Sequence, residues 1–145
     1  MYIMAVDVGK ARTGIALSDV GETFAFPKCV ITEYNEDKMI EKVSEKAKEL
    51  GAQMIVVGLP KNMDGSEGFK AQECITVAQK LREITGLPVE MQDERCTTVS
   101  AHTLLNYSNT KGKKRKATVD AVAATLILED FMRRRENEAK NKNTT

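Results

Sequence analysis

The sequence predicts one α/β domain: a mixed sheet, antiparallel along one edge and parallel through its middle, with helices on its faces. Three observations carry this. Three short strand-like runs open the chain, and from Glu36 onward segments of helical period alternate with apolar strand-like runs. The length of 145 residues, 41% hydrophobic and 30% charged, fits a single soluble domain of about 100 to 200 residues. A chain of this size buries enough surface to need neither disulfides nor structural metal.

The elements follow in order. Tyr2 to Val6 is an apolar run ending at Asp7, and Gly9 supplies turn chemistry before Gly14 to Ser18 resumes a strand, so the pair reads as a hairpin. Cys29 to Thr32 gives a third short strand. Glu36 to Leu50 carries Met39, Ile40, Val43, Ala47 and Leu50 at helical spacing, with Gly51 as its C-cap. Met54 to Val57 is the continuous apolar run of a strand buried on both faces, broken by Gly58-Leu59-Pro60. A second helix runs from about Glu67 to Thr85 and is stopped by Gly86, with Ser66 its cap if the preceding loop is a plain turn, and Pro88 to Met91 forms the last strand. Thr97 or Thr98 caps a short helix reaching Leu105. Thr118 caps a final helix with Val119, Val122, Ala123, Leu126, Ile127 and Phe131 facing inward. The domain is expected over 1–135, with 136–145 a polar, disordered tail.

Charge is nearly balanced, 22 Lys plus Arg against 21 Asp plus Glu, but unevenly placed. Lys111, Lys113, Lys114, Arg115 and Lys116 form a basic loop without an acid, the stretch from Arg133 onward is also basic, and the rest of the chain is net acidic. No stretch approaches the ~18 continuous apolar residues of a membrane span, and the N-terminus lacks the layout of a secretory signal. The expectation is a cytoplasmic protein with no membrane partner. Cys29, Cys74 and Cys96 are widely spaced, without a CxxC pair, and read as reduced small apolar residues.

Three acids stand at element boundaries: Asp7 ending the first strand, Glu94 just past the last strand, and Asp120 in the first turn of the final helix. In open α/β sheets ligands collect beyond the carboxyl ends of the strands, so these acids can meet there. Clustered carboxylates repel one another unless cations join them, and hard oxygen donors favour Mg²⁺ or Mn²⁺, the ions of phosphodiester hydrolysis. Each acid also has a plainer reading: Asp7 favours the turn, Glu94 pairs with Arg95, and Asp120 stabilises a helix start.

Around them, the basic loop reads either as a solvated face or as a cradle for a phosphate backbone, and Arg12 and Arg95 either pair on the surface or clamp phosphate. The loop from Gly58 to Gly68 lacks the Gly-Lys-Ser/Thr ending of a nucleotide-binding P-loop, and reads as a turn or as backbone amides facing a phosphate. His102, alone on a short helix, stays outside the catalytic set.

Asp7-Val8-Gly9-Lys10-Ala11-Arg12-Thr13-Gly14, Gly58-Leu59-Pro60 with Asn62-Met63-Asp64-Gly65-Ser66, Asp93-Glu94-Arg95-Cys96-Thr97-Thr98 and Asp120-Ala121-Val122-Ala123-Ala124 form an ordered series. In order and spacing the chain resembles the YqgF/RuvX family, pre-16S rRNA nucleases of the Holliday-junction-resolvase-like branch, from Tyr2 to about Met132. The resemblance implies a ribonuclease H-like fold with a five-stranded mixed sheet. It also implies a divalent-metal site at Asp7, Glu94 and Asp120, and trimming of the 5′ end of the small-subunit rRNA precursor. Arg12, Arg95, Lys113, Lys114, Arg115 and Lys116 would contact the nucleic acid. The partner is then RNA, free or within pre-ribosomal particles, with the protein a monomer or homodimer.

The chain departs from the pattern at Cys96, where the family carries a larger aliphatic residue. Against the more distant junction resolvases, Gly58-Leu59-Pro60 has no acid and Ala117, Ala123 and Ala124 surround Asp120 in place of a second carboxylate. That smaller ligand set is compatible with one resting ion and a second arriving with the phosphate. Rival readings are cleavage of branched DNA, a non-catalytic RNA-binding assembly factor, and an actin- or sugar-kinase-like ATPase, which the length disfavours because such enzymes close two lobes around the nucleotide.

Overall fold

The computed structural model describes residues 1–60 and 68–93, and then the last helix, with its backbone over 113–143 and its side chains over 121–139. The described elements are β1 (Ile3–Asp7), β2 (Arg12–Ser18), β3 (Ala25–Thr32), α1 (Glu36–Leu50), β4 (Met54–Leu59), α2 (Phe69–Thr85), β5 (Val89–Asp93) and α3 (Lys113–Asn143). The helix expected between Thr97 and Leu105 lies outside the described residues.

The five strands form one sheet in the order β3-β2-β1-β4-β5. β3, β2 and β1 pair antiparallel, and β1, β4 and β5 pair parallel. Alternation along each strand divides the interior in two. Met4, Val6, Ile15, Leu17, Ile55 and Val57 face α1 and α2, where Met39, Ile40, Val43, Val77 and Leu81 cover them. Ile3, Ala5, Ala16 and Val56 point the other way, under Ala124, Ile127, Leu128, Phe131 and Met132 of α3. Each large side chain so buried contributes about 1.5–3 kcal/mol, so both faces stabilise the sheet, and among the described residues α3 alone covers the second.

α1 has the expected bounds. Asn35 Oδ1 accepts from the Lys38 N–H at 3.0 Å, and Gly51, at φ 72°, takes the left-handed conformation that closes the helix on the Ala47 and Lys48 carbonyls. Several other boundaries differ from the sequence reading: β2 begins at Arg12, two residues before Gly14, and β4 runs two residues past Val57 to Leu59. β3 begins at Ala25, four residues before Cys29, because Pro27 sits on an edge strand, where a missing N–H breaks no ladder bond. The register shifts there: Ile15 pairs Cys29 while Ala16 pairs Pro27, leaving Lys28 as the extra residue of a bulge. α2 starts at Phe69 with Gly68 as its N-cap and no side-chain cap, in place of Ser66. β5 covers Val89–Asp93, two residues beyond the expected Met91.

The final helix differs most. It starts at Lys113, so Lys113, Lys114, Arg115 and Lys116 form its first turn, where a loop was expected, and Thr118 lies inside the helix, five residues past its start. Nothing between Gly112 and Thr118 breaks a helix, and Lys, Arg and Ala all propagate one well. Its buried stripe is Ala121, Ala124, Ile127, Leu128, Phe131 and Met132; Val122, Ala123 and Leu126 are only half-buried. At the far end α3 continues to Asn143, through most of the expected 136–145 tail. Arg134 lies 3.9 Å from Glu138 one turn on, and Arg135 binds Glu22 of the β2–β3 hairpin at 2.9 Å.

That hairpin turns around Asp19, whose Oδ1 accepts the N–H groups of Thr23 at 2.7 Å and Phe24 at 2.8 Å. These bonds, Phe24 first, hold its carboxyl below the ordinary 3.8. A depressed carboxylate stabilises the fold above its unfolded pKa and loses that contribution as pH falls through the folded one. An Asp19→Ala protein is therefore expected to be less stable than the parent at neutral pH. The gap should narrow in acid unfolding series as pH drops below about 4; a gap that stays constant down to pH 2 would remove Asp19 from this role.

Candidate nucleic-acid hydrolysis site

The three parallel strands end on one side of the molecule. Val6 pairs Val57, which sets Asp7 level with Gly58, and Gly58 pairs Gln92. By alternation all three belong to the face under α3: Asp7 follows Ile3 and Ala5, Gly58 follows Val56, and Gln92 lies between Met91 and Asp93, Met91 packing on the opposite face. Gly58 has no side chain. Asp7 and Gln92 therefore stand two strand spacings apart, about 10 Å between backbones, with no β4 side chain in the row between them.

Gly9 closes the turn after Asp7. A Cβ there would lie 2.0 Å from the Arg12 carbonyl oxygen, a distance real Cβ atoms do not tolerate, so only glycine permits this approach. The tight turn sets Arg12, the first residue of β2, on the same sheet face as Asp7, since Arg12 alternates with Gly14 and Ala16. Both are half-buried.

α3 runs antiparallel to β1. Arg135, near its far end, reaches Sδ of Met54, the first residue of β4, at 3.8 Å. The amino-terminal part of α3, which includes Asp120, thus extends toward the carboxyl ends of β1 and β4. One turn after Asp120, Ala124 is fully buried against the sheet, and Ala121 is nearly so.

Of the expected site residues, Asp7 and Arg12 are brought to one turn. Asp120 and Lys113, Lys114, Arg115 and Lys116 belong to α3, their side chains outside the described residues. Glu94 and Arg95 lie outside the described residues, immediately after β5. Sequence reasoning missed Gln92. Its Oε1 is buried with no hydrogen-bond partner among the described residues, and its Nε2 makes only a long 3.5 Å contact with the Asp93 carbonyl. An acceptor left so costs about 1–3 kcal/mol, which local packing does not return. No signal in the sequence marks Gln92, because only strand register sets it level with Asp7.

The donor set suits a hard cation: a carboxylate at Asp7, an amide oxygen at Gln92 with no hydrogen-bond partner among the described residues, and no β4 side chain between them. Among the described residues no helix is long and apolar enough to cross a membrane.

The sequence profile described as "RuvX: Holliday junction resolvase" matches residues 1–134. The chain belongs to this family. A relative from Clostridium acetobutylicum, named a pre-16S rRNA nuclease, is 36% identical over 132 residues, covering 91% of this chain and 98% of its own length. One from Bacillus cereus with the same name is 39% identical over 137 residues, covering 93% and 100%. Among solved structures, T. thermophilus RuvC bound to a Holliday junction superposes with a TM-score of 0.58 at 12% identity, covering 92% of this chain and 95% of that one. The fowlpox virus Holliday junction resolvase does so at 0.55 and 14%, covering 92% and 99%. These likenesses establish the ribonuclease H-like, RuvC-type fold expected above. As a RuvX-family protein the chain is a hydrolase acting on nucleic acid.

Proposed function

We propose that this RuvX-family chain is a divalent-metal-dependent nuclease, one domain over 1–135, that processes the 5′ end of pre-16S rRNA in the cytoplasm. The observation that carries the reading is Asp7 at the carboxyl end of β1, on the sheet face toward whose end α3 runs. Asp7, with Glu94 and Asp120, would hold Mg²⁺ or Mn²⁺. The bound ion would lower the pKa of an attacking water and stabilise the leaving oxygen. The chain supplies the rest: Asp7 and Arg12 orient a phosphate across the β1–β2 turn, and the cover of α3 shields the face beneath from solvent.

Lys113, Lys114, Arg115 and Lys116 support the choice of a nucleic-acid backbone. Four cations in a first turn oppose the positive end of the helix dipole, by about 0.3–1 kcal/mol each for a well-placed charge. A phosphate chain lying there reverses that penalty, since both the cations and the helix start attract it without reading base sequence. The names of the relatives favour RNA. The family description and the RuvC-type fold favour a second reading, cleavage of branched DNA, in which a two-fold dimer makes paired cuts.

A precursor rRNA fragment and a four-way DNA junction, incubated side by side with Mg²⁺, Mn²⁺ or EDTA, test both. RNA product with either ion and none in EDTA is expected. Preferential junction cleavage would replace RNA by branched DNA as substrate, and product in EDTA would overturn the metal role. Binding that survives EDTA without product at any metal concentration would make the protein an assembly factor.

A further inference from the structure

We infer that Gln92 is a neutral oxygen ligand of the cation site, opposite Asp7 across the gap that Gly58 leaves. This rests on the reading of Asp7 as a metal ligand and adds a residue from the far side of the sheet. Register sets Asp7, Gly58 and Gln92 in one row on the α3 face. Two strand spacings, about 10 Å, lie within the combined reach of an aspartate and a glutamine joined through an ion with Mg–O distances near 2.1 Å.

Gly58 is what permits it, because a side chain on the central strand would occupy the space between the two. The Gln92 oxygen is already withdrawn from solvent and has no hydrogen-bond donor among the described residues, the state of a ligand atom held for a cation. An amide oxygen adds a donor without adding negative charge. It would fill a coordination position without adding to the negative charge that Asp7 brings to the site.

The test uses the full chain and Mn²⁺ alone, with bound ion read by electron paramagnetic resonance and folding by thermal melts. Gln92→Leu is expected to weaken Mn²⁺ binding roughly tenfold without lowering the melting temperature in EDTA, since it removes only the long Nε2 contact to the Asp93 carbonyl. Gln92→Glu is expected to bind Mn²⁺ more tightly than the parent. Asp7→Asn should lose the site. If both Gln92 variants bind Mn²⁺ as the parent does while Asp7→Asn loses it, Gln92 is no ligand and the metal site stands. If Asp7→Asn also binds unchanged, or the parent takes up no Mn²⁺, the metal reading itself fails and Gln92 falls with it. Should Gln92→Leu fail to fold, Gln92→Glu decides: tighter binding supports the assignment, unchanged or weaker binding overturns it.

Discussion

Replacing Asp7 by Asn is expected to lower single-turnover RNA cleavage by roughly 10³-fold, the several kcal/mol of transition-state stabilisation that a well-held cation supplies. The substitution keeps size and shape, and Asp7 lies at a strand end outside both apolar clusters, so the melting temperature should hold within a few degrees. Asp120→Asn should behave alike if α3 brings that carboxylate to the same ion. Cleavage rate and melting curve measured on one preparation separate chemistry from folding. An Asp7→Asn protein that cleaves at the parental rate would remove this residue from the mechanism.

The largest stability effect is expected from Phe131→Ala. Phe131 is 1% exposed, in the cluster with Ile3, Ala5, Ala16 and Val56, and the Arg134 guanidinium carbon lies 5.0 Å from its ring centroid. Removing the ring leaves a cavity in the only described layer over that sheet face, a loss of about 3–5 kcal/mol. Against a total of about 5–15 kcal/mol for a domain, that brings the protein close to unfolding. Urea denaturation of the variant measures it; a loss under about 1 kcal/mol would mean that the helix re-seats on the sheet and closes the cavity.

What the sequence disclosed, and what it withheld, follows from the range of each signal. α1 was readable to the residue because its signals are local: a helical stripe from Met39 to Leu50 and a glycine stop at Gly51. The start of β3 was hidden because Pro27 reads as a breaker until the strand is known to lie on the edge. The basic run reads as a loop on charge density alone, whereas its Lys, Arg and Ala residues propagate a helix well, which sets the start of α3 at Lys113. Its inward face was misjudged at Val122, Ala123 and Leu126, since apolar residues nearly encircle the helix there and only docking selects the buried stripe.

The site divides in the same way. Asp7 was legible because an acid that ends an apolar strand just before a glycine turn, here Gly9, is a local mark, and Arg12 followed from its place just after that turn. Gln92 was not, because its significance depends on two inter-strand registers and on the missing side chain of Gly58.

The dependence of one sheet face on a helix near the end of the chain also bears on biosynthesis. Ile3, Ala5, Ala16 and Val56 have all left the ribosome roughly sixty residues before Lys113 does, which at about 5–20 residues per second is several seconds of translation. The Arg135–Glu22 pair joins positions 113 residues apart. Throughout that interval the nascent polypeptide lacks the helix that seals this greasy strip, the kind of exposure that favours premature association.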